Sequence, residues 1–242
     1  MKKLKFECEL LSDVVINQSA ATEGNNKTLD FIPGNSFLGI MASHYAEFSS
    51  EEALLLFHSG KVRFGDAHPE SLMKSDIRTL RVPASLYYPK LKSVKDVCYV
   101  HHFYDRKADK LNDGRPQQLK QCRNGFFAFA QGKGFKAITE RNFYLKSAYD
   151  RDRRRSKDEQ MYGYESLEAG GKYLFEVETD DDSLVETIIK NLVGKHHIGR
   201  SRTAQYGEVR ITEKSFEESV SRQDPVKIRG NEYVVVYADG RL

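Results

Sequence analysis

The chain has 242 residues, of which 39% are hydrophobic and 30% are charged, and its formal net charge is +3. This composition is typical of a soluble globular protein and excludes a disordered chain, and no apolar run approaches the length that spans a membrane. Because the net charge is small, a site for a polyanion has to come from local clustering of cations.

The cysteines and the N-terminus indicate where the protein works. Cys8, Cys98 and Cys122 are odd in number and lack the spacing of metal ligands, so we expect reduced, structural thiols and neither a metal nor a cofactor. The N-terminus begins basic, but Glu7 and Glu9 interrupt its short apolar alternation. That pattern is typical of a strand and not of a signal peptide, and we therefore expect a cytoplasmic protein.

The first elements follow from apolar spacing. Alternating apolar residues predict a strand over residues 3–12, and small polar residues predict a loop over 17–27. Residues 29–42 then predict a break in the chain followed by an amphipathic helix.

The start of that helix is a candidate site. Pro33 and Gly34 break the chain, and Asn35 or Ser36 is expected to cap the helix through its side chain. A helix start offers N–H groups to an anion. A purely structural cap is an equally natural explanation.

The middle of the chain predicts an elaborate insertion. A helix is predicted over residues 51–57 and a short strand over 61–64, after which the periodicity is broken as far as about residue 170. We interpret residues 67–169 as an insertion with long loops, among them the polar span 105–118. Within it, residues 125–130 and 143–148 predict strands.

The most basic run of the chain is residues 151–157. It sets five cations against one acid, Asp152: Arg151, Arg153, Arg154, Arg155 and Lys157. Four tyrosines flank it: Tyr144, Tyr149, Tyr162 and Tyr164. Arginines with interleaved aromatic rings suit single-stranded nucleic acid, since phosphates pair with guanidinium groups and bases stack on rings. A solvated loop is the ordinary alternative explanation of a charge run.

A glycine-punctuated basic loop follows the last predicted helix, residues 182–193, and leads into a strand over 208–212. Gly194 is expected to end that helix. The loop combines glycines, cations, a hydroxyl and an aromatic ring that suit an RNA backbone and base: Lys195, Gly199, Arg200, Ser201, Arg202, Tyr206 and Gly207. It matches neither a P-loop nor a dinucleotide fingerprint, because no Gly-Lys-Ser/Thr closes it and its glycines follow a helix. A helix stop with an exposed hairpin remains the plain structural alternative.

With a further strand at residues 172–178, the element order is βαββαβ. This order predicts an α+β fold with a ferredoxin-like (RRM-type) core, an antiparallel sheet and a large mid-chain insertion. We predict one domain with these parts: core 1–66 and 170–213, insertion 67–169 and a C-terminal segment 214–242. In that segment residues 233–237 predict one more strand, and the ending after an Asp-Gly turn signal favours a truncated or split product.

Several segments resemble one family. IPGNSFLG at residues 32–39 resembles the motif that opens the first helix of CRISPR-associated RAMP superfamily proteins, and GRSRTAQYGEV at 199–209 resembles their C-terminal glycine-rich loop. Three further segments are similar to the guide-handle-binding RAMP subunit of type III-D effector complexes: LFHSGKVRFGDAHP at 56–69, RVPASLYYPK at 81–90 and YGYESLEAGGKYLFEVE at 162–178. The resemblance covers roughly residues 3–211.

The resemblance implies a non-catalytic subunit that binds the guide RNA (crRNA) of a type III interference complex in antiviral defence, with other RAMP and effector subunits as partners. The family's glycine loop falls on Gly199, Arg200, Ser201, Arg202, Tyr206 and Gly207. Its helix-opening motif, which lies near the RNA path in relatives, falls on Pro33, Gly34, Asn35 and Ser36. No family motif matches the basic run, so Arg151, Arg153, Arg154 and Arg155 are assigned to RNA contact by charge and position only.

Catalysis is a separate question, because RAMP relatives include ribonucleases. His44 lies on the first predicted helix, near the place where processing relatives carry a catalytic histidine, but a single histidine on a helix is more often packed or solvated. His196 and His197 lie beside the glycine loop and supply no evident acid–base pair. Relatives that cut target RNA use an aspartate before the proline–glycine motif, and Glu23 is the only acid in that loop here. We therefore expect no catalytic residue.

Two alternatives stay open. One is a metal-independent endoribonuclease that processes CRISPR repeat RNA through His44 or through His196 and His197. The other is an RRM-like protein–protein module that binds no RNA.

Overall fold

A computed structural model describes residues 1–19, 25–71, 76–82, 86–90, 100–101, 118–123, 125–130, 133–137, 139–202, 205–218, 226–228 and 230–233. The chain divides into two compact units. The first consists of Met1–Pro69 and Thr139–Ser215, and the second of Glu70–Ile138 and Phe216–Leu242. The predicted organisation as one domain stays a prediction.

The strands and helices are numbered in chain order. The N-terminal part contains β1 (Lys2–Leu10), β2 (Asn25–Asn26), α1 (Gly34–Ala42), a 3₁₀ turn (Tyr45–Glu47), α2 (Ser50–Ala53), a π-helical turn (Leu54–His58), β3 (Val62–Phe64) and β4 (His68–Pro69). The middle contains β5 (Ile77–Arg78), β6 (Leu80–Arg81), β7 (Leu86–Pro89), β8 (Val100–His101), β9 (Leu119–Gln121), β10 (Phe126–Ala130) and β11 (Lys133–Ala137). The C-terminal part contains β12 (Arg141–Asp150), β13 (Arg155–Leu167), β14 (Lys172–Thr179), a 3₁₀ turn (Asp182–Leu184), α3 (Val185–Leu192), β15 (Gly194–His197), β16 (Glu208–Glu213), β17 (Glu217–Glu218), β18 (Val226–Ile228) and β19 (Asn231–Tyr233).

The central antiparallel sheet of the first unit contains the four core strands that the sequence predicts, together with β15 and β4. Its order is β15-β16-β1-β14-β3, and β4 also pairs with β14. In the middle, β1 places Phe6 opposite Phe175 of β14 and Cys8 opposite Ile211 of β16. The predictions of β1, β3, β14 and β16 are therefore confirmed, with ends that shift by one or two residues.

Helices α1 and α3 provide the apolar layer of this unit. The ring of Phe37 on α1 lies parallel to that of Phe175 with centroids 3.7 Å apart, and Phe6 stacks on Phe175 at 5.2 Å. α3 contacts α1 and β16 and fully buries Ile188 and Leu192. The i, i+3, i+4 spacing of apolar residues predicts both helices for this reason, because those positions share one helix face.

The opposite face of the same sheet carries ion pairs. Lys3 on β1 contacts Glu176 and Glu178 on β14 at 3.1 and 3.4 Å, and Arg210 on β16 contacts Glu9 at 3.3 Å. Single-stranded RNA is typically bound on RRM sheets by exposed aromatic side chains. Paired charged side chains occupy the places on this face where a stacking platform would need exposed rings. The face therefore does not resemble such a platform.

The predicted helix at residues 51–57 is observed as α2 followed by the π-helical turn. Ser49 and Glu52 form a reciprocal capping box at its start. Gly60, with a φ of 72°, follows its end. No helix in the described part of the chain is long and apolar enough to cross a membrane.

A long hairpin, β12 and β13, belongs to the first unit and pairs in parallel with β2. The predicted strand at 143–148 is confirmed and extends over Arg141–Asp150. Residues 151–157 do not form the single solvated loop that is the ordinary alternative explanation, because β13 already begins at Arg155. The basic run is therefore divided between the hairpin turn and the strand that leaves it.

The second unit contains short sheets with the orders β11-β10-β6 and β8-β7-β9, and β18 pairs with β19. The predicted strand at 125–130 is confirmed as β10. Of the predicted strand at 233–237, only Tyr233 is among the described residues, and it ends β19. Of the polar span 105–118, only residue 118 is described. Cys122 and Cys8 are free and buried, as expected, and Cys98 is not among the described residues.

Candidate nucleic-acid interface

A cleft of about 460 Å³ lies between α1 and the chain that runs from β15 into the glycine loop. We call it the α1 cleft. Its wall includes Asn35 and Ser36 from the first turn of α1. Facing them are residues of β15 and the loop: His196, His197, Ile198, Gly199 and Arg202. The fold thus brings together two motifs that lie at opposite ends of the first unit's sequence.

The start of α1 is fixed by contacts within the protein. The Gly34 N–H donates to the Asp66 carboxylate at 2.7 Å, and a Cβ at Gly34 would lie 2.1 Å from the carbonyl oxygen of Phe64. Pro33 is the N-cap residue and makes no side-chain cap, and the Asp66 carboxylate takes that role, so the expectation that Asn35 or Ser36 caps the helix is wrong. The Asp66 carboxylate therefore already occupies the first N–H group of the helix.

The predicted helix end at Gly194 is confirmed, but the segment that follows it begins as a strand and not as a loop. Val193 is the C-cap of α3, and Gly194, with a φ of 137°, opens β15. β15 pairs with β16 and places Lys195 opposite Arg210. The chain therefore leaves α3 as a strand, and the loop proper is the connection of a β-hairpin.

Two glycines of this loop are required by close backbone approaches. Gly199 has a φ of 76°, and a Cβ on it would lie 2.4 Å from the Val15 carbonyl oxygen. Gly207 has a φ of 92°, and a Cβ on it would lie 2.3 Å from the Ile198 carbonyl oxygen. The Arg200 N–H donates to the Val15 carbonyl at 2.8 Å. The loop is thereby bound to the segment that follows β1. Thr203, in the same loop, lies outside the described residues.

Tyr206 is part of a buried aromatic cluster. It is 3% exposed and packs with Val15 and Tyr164, and its ring centroid lies 6.3 Å from that of Tyr144. Desolvation raises the pKa of its hydroxyl. The expectation that this ring stacks on a base is therefore wrong for this conformation, because neither ring face is open to a ligand.

The two loop arginines have different surroundings. The guanidinium carbon of Arg200 lies 5.1 Å from the centroid of the Tyr164 ring, in a cation–π arrangement. Arg202 is exposed and lines the α1 cleft, and Ser201 beside it has a φ of 56°. Lys195, the third cation predicted for this loop, is paired with an acid, because its Nζ atom lies 3.3 Å from the Glu208 carboxylate.

Asp13 is a residue that sequence reasoning missed. Its carboxylate accepts hydrogen bonds from Ser166 Oγ at 2.9 Å, Asn142 Nδ2 at 3.1 Å and the Ala169 N–H at 3.0 Å. Its backbone carbonyl accepts from the Gly207 N–H at 2.8 Å. Asp13 thus joins the long hairpin to the glycine loop. A lone aspartate after a strand gives no sequence signal of this role.

We expect Asp13→Ala to lower the free energy of unfolding by roughly 2–4 kcal/mol, because several donors lose a charged acceptor at once. Urea unfolding followed by circular dichroism measures this. Asp13→Asn keeps one carbonyl acceptor and should lose less. Equal stability of wild type and Asp13→Ala would contradict the assigned role.

The histidines near the cleft are held in different ways. The Nε2 atom of His196 lies 2.9 Å from the Leu192 carbonyl oxygen, whereas the His197 side chain is exposed. Desolvation lowers the pKa of His196, and the nearby His44 and His197 lower it further. The hydrogen bond to the Leu192 carbonyl raises this pKa but does not cancel the lowering. The Nδ1 atom of His44 lies 3.1 Å from the Glu47 carboxylate. Within the described residues, no three His, Cys, Asp or Glu side chains are grouped so that they could hold a metal ion.

The lowered pKa of His196 predicts a pH dependence of stability. Unfolded histidine titrates near 6.5, so below about pH 7 the unfolded chain binds more protons than the folded chain, and stability falls as the pH falls. We expect the stability advantage of wild type over His196→Gln to shrink between pH 8 and pH 5.5 in thermal unfolding. His197→Gln, at the exposed neighbouring position, is the control, and parallel curves for wild type and His196→Gln would contradict the prediction.

The arginines of the hairpin turn lie elsewhere. Arg151, Arg153 and Arg154 are exposed, and Arg154 has a φ of 50°. The Arg155 side chain is not among those that the structure describes. None of the described residues that line the α1 cleft comes from this turn, so the two predicted cationic segments are not brought together in one cleft.

Comparisons with known proteins bear on the fold. No protein-family model and no curated protein matches the sequence. A chain from the cryo-EM structure of the Type III-B Cmr-beta bound to cognate target RNA matches with a TM-score of 0.50 and 10% identity, covering 87% of this chain and 96% of that one. A chain of Type III-B Cmr-beta in the apo state matches with a TM-score of 0.51, 11% identity and the same coverages. The protein therefore has an α+β fold similar to that of subunits of CRISPR type III-B Cmr complexes.

Proposed function

We propose that this chain is a non-catalytic guide-RNA-binding subunit of a type III CRISPR interference complex, of the handle-binding kind found in type III-D effectors. It would act in the cytoplasm with other RAMP and effector subunits. The order β16-β1-β14-β3, with α1 and α3 between successive strands, supports assigning the core to the ferredoxin-like class. The motif resemblance and the fold similarity to Cmr-beta chains support the same proposal independently.

One observation carries the proposal: the α1 cleft combines the two segments that resemble RNA-contacting motifs. Asn35 and Ser36 supply hydrogen-bonding side chains, and Arg202 supplies a charge. No acidic residue is among the described residues that line this cleft. Phosphate contacts require such a surface, since they exchange counterions for protein cations. The sheet face opposite α1 and α3 carries paired charges, so we favour the α1 cleft and not that face as the RNA surface.

The proposal is tested by purifying the tagged full chain from its native host and sequencing the small RNA that accompanies it. We expect RNAs that share a repeat-derived segment at one end, because a handle binder holds the constant part of each guide. Random fragments, or no RNA, would contradict the proposal.

The arginine turn is proposed as a second RNA contact. Changing Arg153, Arg154 and Arg155 together to Ala is expected to affect thermal stability less than RNA binding, since Arg153 and Arg154 are exposed. The same variant should recover less RNA in the co-purification. Normal RNA recovery would remove the turn from the RNA surface.

The endoribonuclease alternative rests on one observation, that His196 and His197 both line the α1 cleft. It ranks second because His196 and His44 each have one ring nitrogen already engaged within the protein. His196 Nε2 contacts the Leu192 carbonyl, and His44 Nδ1 contacts the Glu47 carboxylate. Pure protein is incubated with labelled CRISPR repeat RNA in EDTA. Site-specific cleavage that is lost in His44→Ala or His196→Ala would replace the binding proposal with this one.

A further inference from the structure

A partly exposed aromatic cluster follows the C-terminus of α1. The Tyr45 and Phe57 rings lie 5.2 Å apart, and the Phe48 ring lies 5.8 Å from that of Phe57. The Tyr45 hydroxyl lies 3.2 Å from His58 Nε2, so the side chains hold one another in place. Tyr45 is 47% exposed and Leu54, one turn before Phe57 and His58, is 55% exposed. We call these five residues the aromatic patch.

Within the segment that forms this patch, all formally charged residues are acids. The segment from His44 to His58 contains Glu47, Glu51 and Glu52 and neither lysine nor arginine, in a chain whose net charge is +3. The Glu47 side chain is 72% exposed, and Glu51 is exposed as well. Glu52 is engaged in the capping box with Ser49. Glu51 is therefore exposed with no described ion pair, and the Glu47 carboxylate, although mostly exposed, also lies 3.1 Å from the Nδ1 atom of His44.

The backbone beneath the patch is unusual. Leu54–His58 forms a π-helical turn directly after α2. Such turns are rare and are found frequently at functional sites. Within this turn Leu54 lies at the surface, whereas Leu56 is 2% exposed and anchors the turn in the core.

We propose that the aromatic patch and its carboxylates bind a cationic, arginine-bearing segment of a partner protein. Aromatic faces attract guanidinium groups by cation–π contact, and Glu47 and Glu51 complement the remaining charge. Arginine and aromatic residues are enriched at the centre of protein interfaces, and exposed apolar clusters with a polar rim mark such sites. RNA does not fit, because phosphates would meet carboxylates.

The test uses a fluorescently labelled eight-residue peptide of alternating arginine and glycine, with lysine–glycine and glutamate–glycine peptides for comparison. Fluorescence anisotropy with the full chain should give the tightest binding for the arginine peptide and none for the glutamate peptide. Glu47→Gln with Glu51→Gln should weaken binding of the arginine peptide about fivefold or more, and Tyr45→Ala about threefold. Circular dichroism checks that each variant is folded.

Glu140→Gln with Glu186→Gln removes two exposed acids outside the patch and is the matched control, expected to bind like wild type. An equal loss in this control, or no loss in the patch variants, overturns the inference. Binding of a labelled single-stranded RNA is measured in parallel. If Glu47→Gln with Glu51→Gln changes RNA affinity as much as peptide affinity, the patch belongs to the RNA surface and the inference is also overturned. A failure of RNA binding in every variant would count against the guide-binding proposal and not against this one.

Discussion

Replacing Gly34 by alanine is expected to destabilise the first unit by roughly 3 kcal/mol or more. The added Cβ would lie 2.1 Å from the Phe64 carbonyl oxygen and 2.9 Å from its carbonyl carbon, both of them backbone atoms of β3. These atoms cannot move without shifting β3 against β14, with which it pairs. The start of α1 would have to move instead, and with it the hydrogen bond from Gly34 to Asp66.

Gly39→Ala is the matched control, because it lies in the same helix and an added Cβ meets no atom within 4 Å. It should raise the free energy of unfolding by up to about 1 kcal/mol, since alanine is the better helix former. Urea unfolding monitored by circular dichroism compares the two variants. If both change stability by similar amounts, the close approach of α1 to β3 is wrong.

This contrast also shows what could be predicted from the sequence. Apolar alternation predicts β1 and β14, and helical spacing predicts α1 and α3, because these elements bury one face each. The glycine pattern correctly predicts unusual backbone at Gly199 and Gly207. Their specific collision partners, the carbonyls of Val15 and Ile198, depend on tertiary contacts that spacing does not encode.

The errors have physical causes of the same kind. β15 has the sequence Gly-Lys-His-His, which lacks any apolar alternation, and only pairing with β16 makes it a strand. Tyr206 stands in a polar loop, so its burial depends on Val15 and Tyr164 from distant segments. Asp66 caps α1 from across the unit, whereas a sequence pattern favours capping by a neighbour. Local patterns therefore locate the elements and the loop of the candidate site, and long-range contacts decide which of its residues face a ligand.

The loop arginines give the largest expected effect on binding. Changing Arg200 and Arg202 together to Ala should weaken binding of a labelled single-stranded RNA about tenfold or more at low salt. Arg202 lines the α1 cleft, and Arg200 is positioned above Tyr164. Each phosphate contact that is lost should also lower the slope of log affinity against log salt by about one.

Arg63→Ala with Arg210→Ala is the matched control for that experiment, because it removes two arginines that are paired with acids at the sheet. Arg63 contacts Asp180 at 2.9 Å, and Arg210 contacts Glu9 at 3.3 Å. This variant should keep both the affinity and the salt slope of the wild type, which are measured by fluorescence anisotropy over a series of KCl concentrations. If the loop variant and the control lose affinity equally, the effect is one of net charge and the α1 cleft is not the RNA surface. A wild-type affinity that does not depend on salt would instead favour a protein–protein module, because phosphate binding must release counterions.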